Sequence, residues 1–252
     1  MKLFGPIRLW LSTWIERIRE LATLPAVEIS LGFAQGVHAD FTRPHPRYKI
    51  IGRKVLGVAL VRVPSQFEKY LKGKDQQALR TNRKKAIRNG FTFITFDPLE
   101  HIDEILAINT SSEVRAGRPM DAPYLDAELV RAYFSDKRSV YGICDQTGKI
   151  QAYCYAPVCG ETAILFRLLG CADLLSEGIM YLMISEIIRE MSERQNAAGR
   201  PLWVMYDTFF GAAPGLRYSK RRMGFRPYKV KWILDARDVA AGEAEPVTES
   251  RR

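Results

Sequence analysis

Residues 178–191 read GIMYLMISEIIREM, residues 202–210 read LWVMYDTFF and residues 215–227 read GLRYSKRRMGFRP, and together these runs decide the fold. Met180, Met183, Ile184, Ile187 and Met191 recur at helical spacing, so the sequence predicts a helix over 174–196 with one apolar stripe to lay on a sheet. Flexible thioethers on such a stripe are core-filling side chains. The β-rich run 202–208 predicts a strand, 209–215 a glycine-containing loop, and 216–223 a short basic helix. Gly224 stops that helix, and 228–234 predicts a closing strand.

Upstream, 139–144 and 150–158 are apolar runs joined by Asp145-Gln146-Thr147-Gly148, which predicts an antiparallel hairpin, with a further strand over 161–169. The run 65–96, SQFEKYLKGKDQQALRTNRKKAIRNGFTFITF, is broken early at Gly73. It then predicts an amphipathic helix from Lys74 with Ala78, Leu79, Asn82 and Ala86 inside and Arg80, Lys84 and Arg88 outside. Asn89-Gly90 ends it before a strand at Phe91. The basic stripe is either a solvated face or a wall for a polyanion. Helices are predicted over 98–114 and 121–134, separated by a Gly117/Pro119 loop that carries Arg115 and Arg118. Strands are predicted over 27–41 and 48–63.

The chain has 252 residues, 47% hydrophobic and 26% charged, which is globular rather than disordered. A formal charge of +10 favours anionic partners: nucleic acid, an anionic membrane surface or phosphorylated metabolites. Cys144, Cys154, Cys159 and Cys171 form no CxxC pair, and His38, His45 and His101 are isolated, so no metal site is expected and the cysteines read as reduced residues of a cytoplasmic protein. Residues 3–21 are amphipathic, with Trp10 and Trp14 on the apolar side. They form either a helix docked on the chain's own domain or a peripheral contact with the inner membrane face. Residues 236–252 lack periodicity and read as a polar tail. The organisation expected is an N-terminal amphipathic helix (1–25), one α+β domain (26–235) and the tail (236–252).

The order hairpin, strand, helix, strand, helix, strand, with Gly224-Phe225 before the last strand, resembles the Gcn5-related N-acetyltransferase (GNAT) superfamily and its FemAB-like branch. The resemblance rests on VALVRV followed by FEKYLKGKDQQALRTNRKKAIRNGFTF, on EVRAGRP with Tyr124 after it, and on the runs quoted at the outset, covering about 55–234. It implies a GNAT-like mixed sheet flanked by helices and transfer of an acyl or aminoacyl group to the amine of a small or cell-envelope acceptor. It also implies no tightly bound cofactor, with acyl-CoA or aminoacyl-tRNA as co-substrate. The acetyltransferase pyrophosphate loop would fall on LSEGIM (175–180), making Ser176 and Gly178 the cofactor-binding candidates. That run keeps one glycine and carries Glu177, which with the net charge leans the donor toward charged tRNA. Peptidoglycan-building FemAB enzymes carry two such domains, and this length has room for about one.

Acyl transfer to an amine needs a neutral amine, a positioned carbonyl and stabilisation of the oxyanion, with no side-chain nucleophile. Leu216, Ser219, Lys220 and Met223 share a stripe, which turns Lys220 inward, where an ammonium needs an anionic partner: substrate phosphate, the developing oxyanion, or solvent reached by snorkelling. Asp207 ends a buried-looking strand and is placed to orient or deprotonate the acceptor amine, or to cap the loop. Arg80, Arg83, Arg115, Arg118 and Tyr124 are the substrate-binding candidates. A non-catalytic membrane-associated or RNA-binding module is the remaining class.

Overall fold

A computed structural model describes residues 23–46, 49–115, 118–199, 202–210 and 212–235; the amphipathic segment 3–21 and the tail 236–252 lie outside the described residues. Strand β1 (Ala26–Ser30) stops at Gly32, which takes φ +59°, and the chain enters helix α1 (Gln35–Thr42) instead of continuing the strand expected over 27–41. Val37 and Phe41, four residues apart, both belong to the cluster around Trp232, with the Phe41 ring 5.0 Å from the indole. The apolar pattern there is a helical pair, not a strand face. Of 48–63, strand β2 occupies Leu56–Arg62.

Helix α2 (Phe67–Tyr70) is separated by the Gly73 break, φ +93°, from α3 (Gln77–Arg88), which buries Leu79 and Ala86 as its spacing requires. Strand β3 (Thr92–Thr95), helix α4 (Ile102–Thr110) and the two-residue strands β4 (Val114–Arg115) and β5 (Arg118–Pro119) follow. The single helix expected over 121–134 is two, α5 (Ala122–Leu125) and α6 (Ala127–Phe134). Asp126 interrupts it with extended backbone, and its carboxylate accepts from Leu129 N at 2.9 Å, so N-cap chemistry overrides helix continuation.

The predicted hairpin is strands β6 (Val140–Cys144) and β7 (Ile150–Tyr155). Asp145 closes it by accepting from Thr147 N at 2.9 Å and Thr147 Oγ1 at 2.6 Å. Then come β8 (Val158–Cys159), β9 (Thr162–Ile164), β10 (Phe166–Gly170), helix α7 (Ile179–Ala198), β11 (Trp203–Thr208), α8 (Pro214–Arg222) and β12 (Arg226–Ile233). The long helix begins later than 174, because 172–177 is a 3₁₀ turn ended by left-handed Gly178.

Two sheets result, ordered β1-β12-β2-β11-β9-β8 and β10-β7-β6-β3. The strand expected over 161–169 is divided between them. β9 runs parallel to β11, and Leu165 N still donates to Met205 O (3.0 Å), but from Phe166 the chain pairs with Tyr155 of β7. Consecutive strands β9 and β10 therefore lie in different sheets. Ile179, Leu182, Met183, Ile184, Ile187, Ile188 and Met191 of α7 are buried against both sheets, each worth about 1.5–3 kcal/mol of apolar transfer. The far face of the smaller sheet is covered by α4 and α6 through Ile105, Ile108, Val130 and Phe134. Among the described residues no helix is long and apolar enough to cross a membrane.

Candidate active site

β11 follows β2 in register from Trp203 to Met205, opposite Arg62, Val61 and Leu60, and the register then jumps so that Thr208 opposes Val58. The irregularity takes up Tyr206 and Asp207, and Asp207 takes φ +51°, a left-handed conformation that Asp tolerates better than most side chains. Its carboxylate, at the end of that strand, is 55% exposed and accepts from Lys54 Nζ. Burial and the neighbouring Arg53 lower the Lys54 ammonium to about 8, with Asp40 acting the other way. The Lys54 carbonyl is fixed by Trp232 Nε1, which donates to it at 2.6 Å.

The loop after β11 is anchored where Phe209 N donates to Gly57 O (2.7 Å) and Thr208 Oγ1 donates to Phe210 O (3.0 Å). Gly57 takes φ +67°, and a Cβ on it would stand 1.9 Å from the Phe210 ring. Gly57→Ala is therefore expected to cost about 2 kcal/mol, from left-handed strain plus displacement of that ring. Urea unfolding measures it; a neutral result would mean Phe210 is not seated there.

Lys220, on the inward side of α8, is 1% exposed. Its Nζ donates to Thr208 O at 2.8 Å and lies 4.5 Å from the Tyr206 ring centroid and 5.9 Å from that of Phe209. Within the protein it is held by a carbonyl and ring faces, and among the described residues no carboxylate lies within ion-pair distance of it. Burial, and secondarily Lys54, lower Lys220 to about 7. Lys220 and Asp207, thirteen residues apart in sequence, thus meet on either side of one residue, Thr208. A lone buried amine of this kind is poised between its charged and neutral forms at neutral pH.

The other candidates are not gathered there. Arg80 donates to Leu71 O and Gly73 O (2.8 Å to the latter), closing the loop between α2 and α3. Arg83 donates through Nε and Nη2 to Glu186 Oε1 at 3.1 and 2.6 Å, and Arg189 takes the other oxygen of this buried carboxylate. Arg115 donates to Ile108 O (2.6 Å), Ser111 Oγ (2.8 Å) and Gly170 O (3.0 Å). These three guanidinium groups bind the fold together. The Arg118 side chain lies outside the described residues, while its backbone pairs with Arg115. Tyr124 has its carbonyl held by Asn109 Nδ2 (2.7 Å) and its ring 4.4 Å from the Arg167 guanidinium.

At Ser176 and Gly178 the approach to the α7 terminus is lined by α3 and the residue after it. Lys85 Nζ donates to Ser176 O (2.9 Å) and Glu177 Oε1 (3.1 Å), Asn89 donates to Glu177 Oε2 (2.6 Å), and the position of a Cβ on Gly178 is 2.3 Å from Asn82 O. The Lys85 hydrogen bond is the main reason Glu177 is held below the usual carboxylate range. Among the described residues no three His, Cys, Asp or Glu side chains converge on a metal position. Lys54 and Arg167 carry no motif in the sequence; Lys54 reaches the site only through the register of β2 on β11.

Strand β2, the antiparallel β6–β7–β10 set, helix α7, the parallel β9–β11 pair, α8 and β12 define a GNAT-like fold. Similar solved structures are FemX (7% identity, 68% of this chain and 59% of that one, TM-score 0.51) and a DUF2156 domain ascribed to a lysylphosphatidylglycerol synthetase from Agrobacterium fabrum (19%, 69% and 58%, 0.44). The ribosomal-protein-S18-alanine N-acetyltransferase from Escherichia coli is also similar (15%, 41% and 61%, 0.33). The matched part spans about three-fifths of each of those chains. No protein-family model matches the sequence, and no curated protein matches it.

Proposed function

We propose that this chain transfers an acyl or aminoacyl group to the amine of a small or cell-envelope acceptor. The observation that carries the reading is the buried Lys220 amine beside Asp207 at the end of β11. The acceptor nitrogen forms a bond to the donor carbonyl carbon, the carbon–oxygen or carbon–sulfur bond to the carrier breaks, and the nitrogen's proton leaves with the carrier. Asp207 orients the amine and draws its proton. Lys220, protonated and held by Thr208 O, supplies a fixed, desolvated positive charge behind the residue that follows Asp207, and it acts on the oxyanion through its field rather than by contact.

Aminoacyl-tRNA is the donor we favour. The approach to the α7 terminus, which would receive a coenzyme A pyrophosphate, is lined by α3 at Asn82. Lys72, Lys74, Arg221 and Arg222 are exposed on the segments that flank the contact of Gly224 with Gln76, and Lys84 and Arg88 are exposed farther along α3, a basic character suited to a ribose-phosphate backbone.

The test is binding and transfer with charged tRNA and with acyl-CoA. With about four phosphate contacts, tRNA affinity should fall by about 10²-fold between 50 and 200 mM salt, and labelled amino acid should move to an amine. Transfer from acyl-CoA alone would reverse the donor assignment. No transfer from either donor to any of a panel of amines, with tRNA binding intact, would leave an RNA-binding module and sink the enzyme reading.

A further inference from the structure

On the sheet face opposite α7, the Arg167 guanidinium lies 3.5 Å from the Tyr133 ring centroid, 4.4 Å from that of Tyr124 and 5.9 Å from that of Phe134. Lys137 Nζ joins the same cluster, 5.5 Å from Tyr133 and 5.8 Å from Tyr155. Arg167 stands in the irregular stretch of β10 directly after the chain changes sheets, with φ +41°. That left-handed conformation is unfavourable for arginine and marks a residue whose direction is imposed by its surroundings.

The charge balance of the cluster is incomplete. Arg167 donates to Pro123 O at 3.3 Å, and among the described residues no carboxylate lies within ion-pair distance of it. The nearest acid in the cluster, Asp136, is paired with Lys137 and is 76% exposed. Three ring faces surround the Arg167 guanidinium, whose hydrogen bond goes to a carbonyl, and a guanidinium held by ring faces offers its remaining N–H donors to two oxygens at once. The Tyr133 hydroxyl is held protonated, since burial, more than any neighbour, raises it to about 12. The cluster is built on β7, β10, α5 and α6 and held from beneath by Asn109, which accepts from Tyr153 OH (2.6 Å) and donates to the Tyr124 carbonyl (2.7 Å).

We infer that Arg167, Lys137, Tyr124 and Tyr133 form a binding site for an oxyanion, a phosphate or carboxylate carried by a small molecule. The site is distinct from the Lys220 amine, which is buried on the α7 side of the larger sheet. If the transferase reading holds, the oxyanion belongs to the acceptor, which would approach β10 from the face that α7 does not cover. The oxyanion site itself does not depend on that reading.

The experiment is a titration of the full chain with inorganic phosphate, and separately with acetate, at ionic strength held constant with chloride, followed by the arginine Nε–Hε resonances. Saturable shifts of the Arg167 signal with a millimolar dissociation constant are expected, weakened at least about 10-fold in Lys137→Gln. In Arg167→Gln, binding read by the melting midpoint should disappear. Saturation by phosphate alone assigns a phosphate ligand, and by acetate as well, oxyanions in general. Lys220→Met must keep the binding, which separates this site from the transfer site. A non-saturable response, or unchanged affinity in both Lys137→Gln and Tyr133→Phe should Arg167→Gln fail to fold, overturns the proposal.

Discussion

Lys220→Met will melt higher than the parent chain at pH 6 and transfer at least about 10²-fold more slowly. The stability gain follows from an ammonium 1% exposed that is held by one carbonyl and two ring faces. The folded state lowers its pKa from 10.5 to about 7, which corresponds to roughly 4–5 kcal/mol of disfavoured charge. Losing the bond to Thr208 O returns about 1 kcal/mol, so about 3 kcal/mol should remain, or about 6–12 °C for a domain of this size. The sign with pH is fixed. Between 7 and 10.5 the unfolded chain binds the proton more tightly, so the parent gains stability as pH rises through that window. The advantage of Lys220→Met should be full below pH 7 and gone above 10.5.

The activity loss follows from removing a preorganised charge whose field acts on the oxyanion. Because the protonated amine is the active form, the Lys220 contribution to kcat/KM should fall as pH rises through about 7, and that limb should vanish in Lys220→Met. A variant that is more stable yet transfers at the parent rate would make Lys220 a snorkelling core residue and nothing more.

Gly178→Ala should cost about 3 kcal/mol or more in urea unfolding at unchanged m-value. The left-handed φ of +83° contributes about 1–2 kcal/mol for any other residue. The added Cβ would also meet Asn82 O at 2.3 Å and Asn82 C at 2.8 Å, backbone atoms that cannot swing aside. Asn82 lies within α3, with its side chain donating to Ala78 O at 2.9 Å, so relief requires moving the whole helix off α7. A cost near 1 kcal/mol, no more than the backbone strain, would mean that α3 is not seated on the α7 terminus. The amide end would then be open to a coenzyme A pyrophosphate, and the donor assignment would turn toward acyl-CoA.

Much of this fold was legible in the sequence because its signals are local. The methionine and isoleucine stripe of α7, the Asp145–Gly148 turn and the Gly224 stop are each set by residues within a few positions of one another. The strand expected over 27–41 failed because Val37 and Phe41 also fit a helix, and only packing against Trp232, almost two hundred residues away, selects it. Arg80, Arg83 and Arg115 looked like free cations on the page, but each has its partners in distant or unpredictable backbone and side-chain acceptors.

By itself the sequence determined the β6–β7 hairpin, the α7–β11–α8–β12 succession, the inward stripe carrying Lys220 and the basic character of α3 and α8, since these depend on residue type and helical or strand period. The tertiary structure alone decided that Lys220 has no carboxylate partner among the described residues, that Lys54 pairs with an exposed Asp207, and that α3 lines the approach to the α7 terminus. It also decided that Arg167 meets Tyr124 and Tyr133 across the sheet. Those outcomes turn on strand register, on one irregularity in β11 and on how two helices seat, and no local pattern of side chains encodes the distance between groups that meet only after the chain has folded.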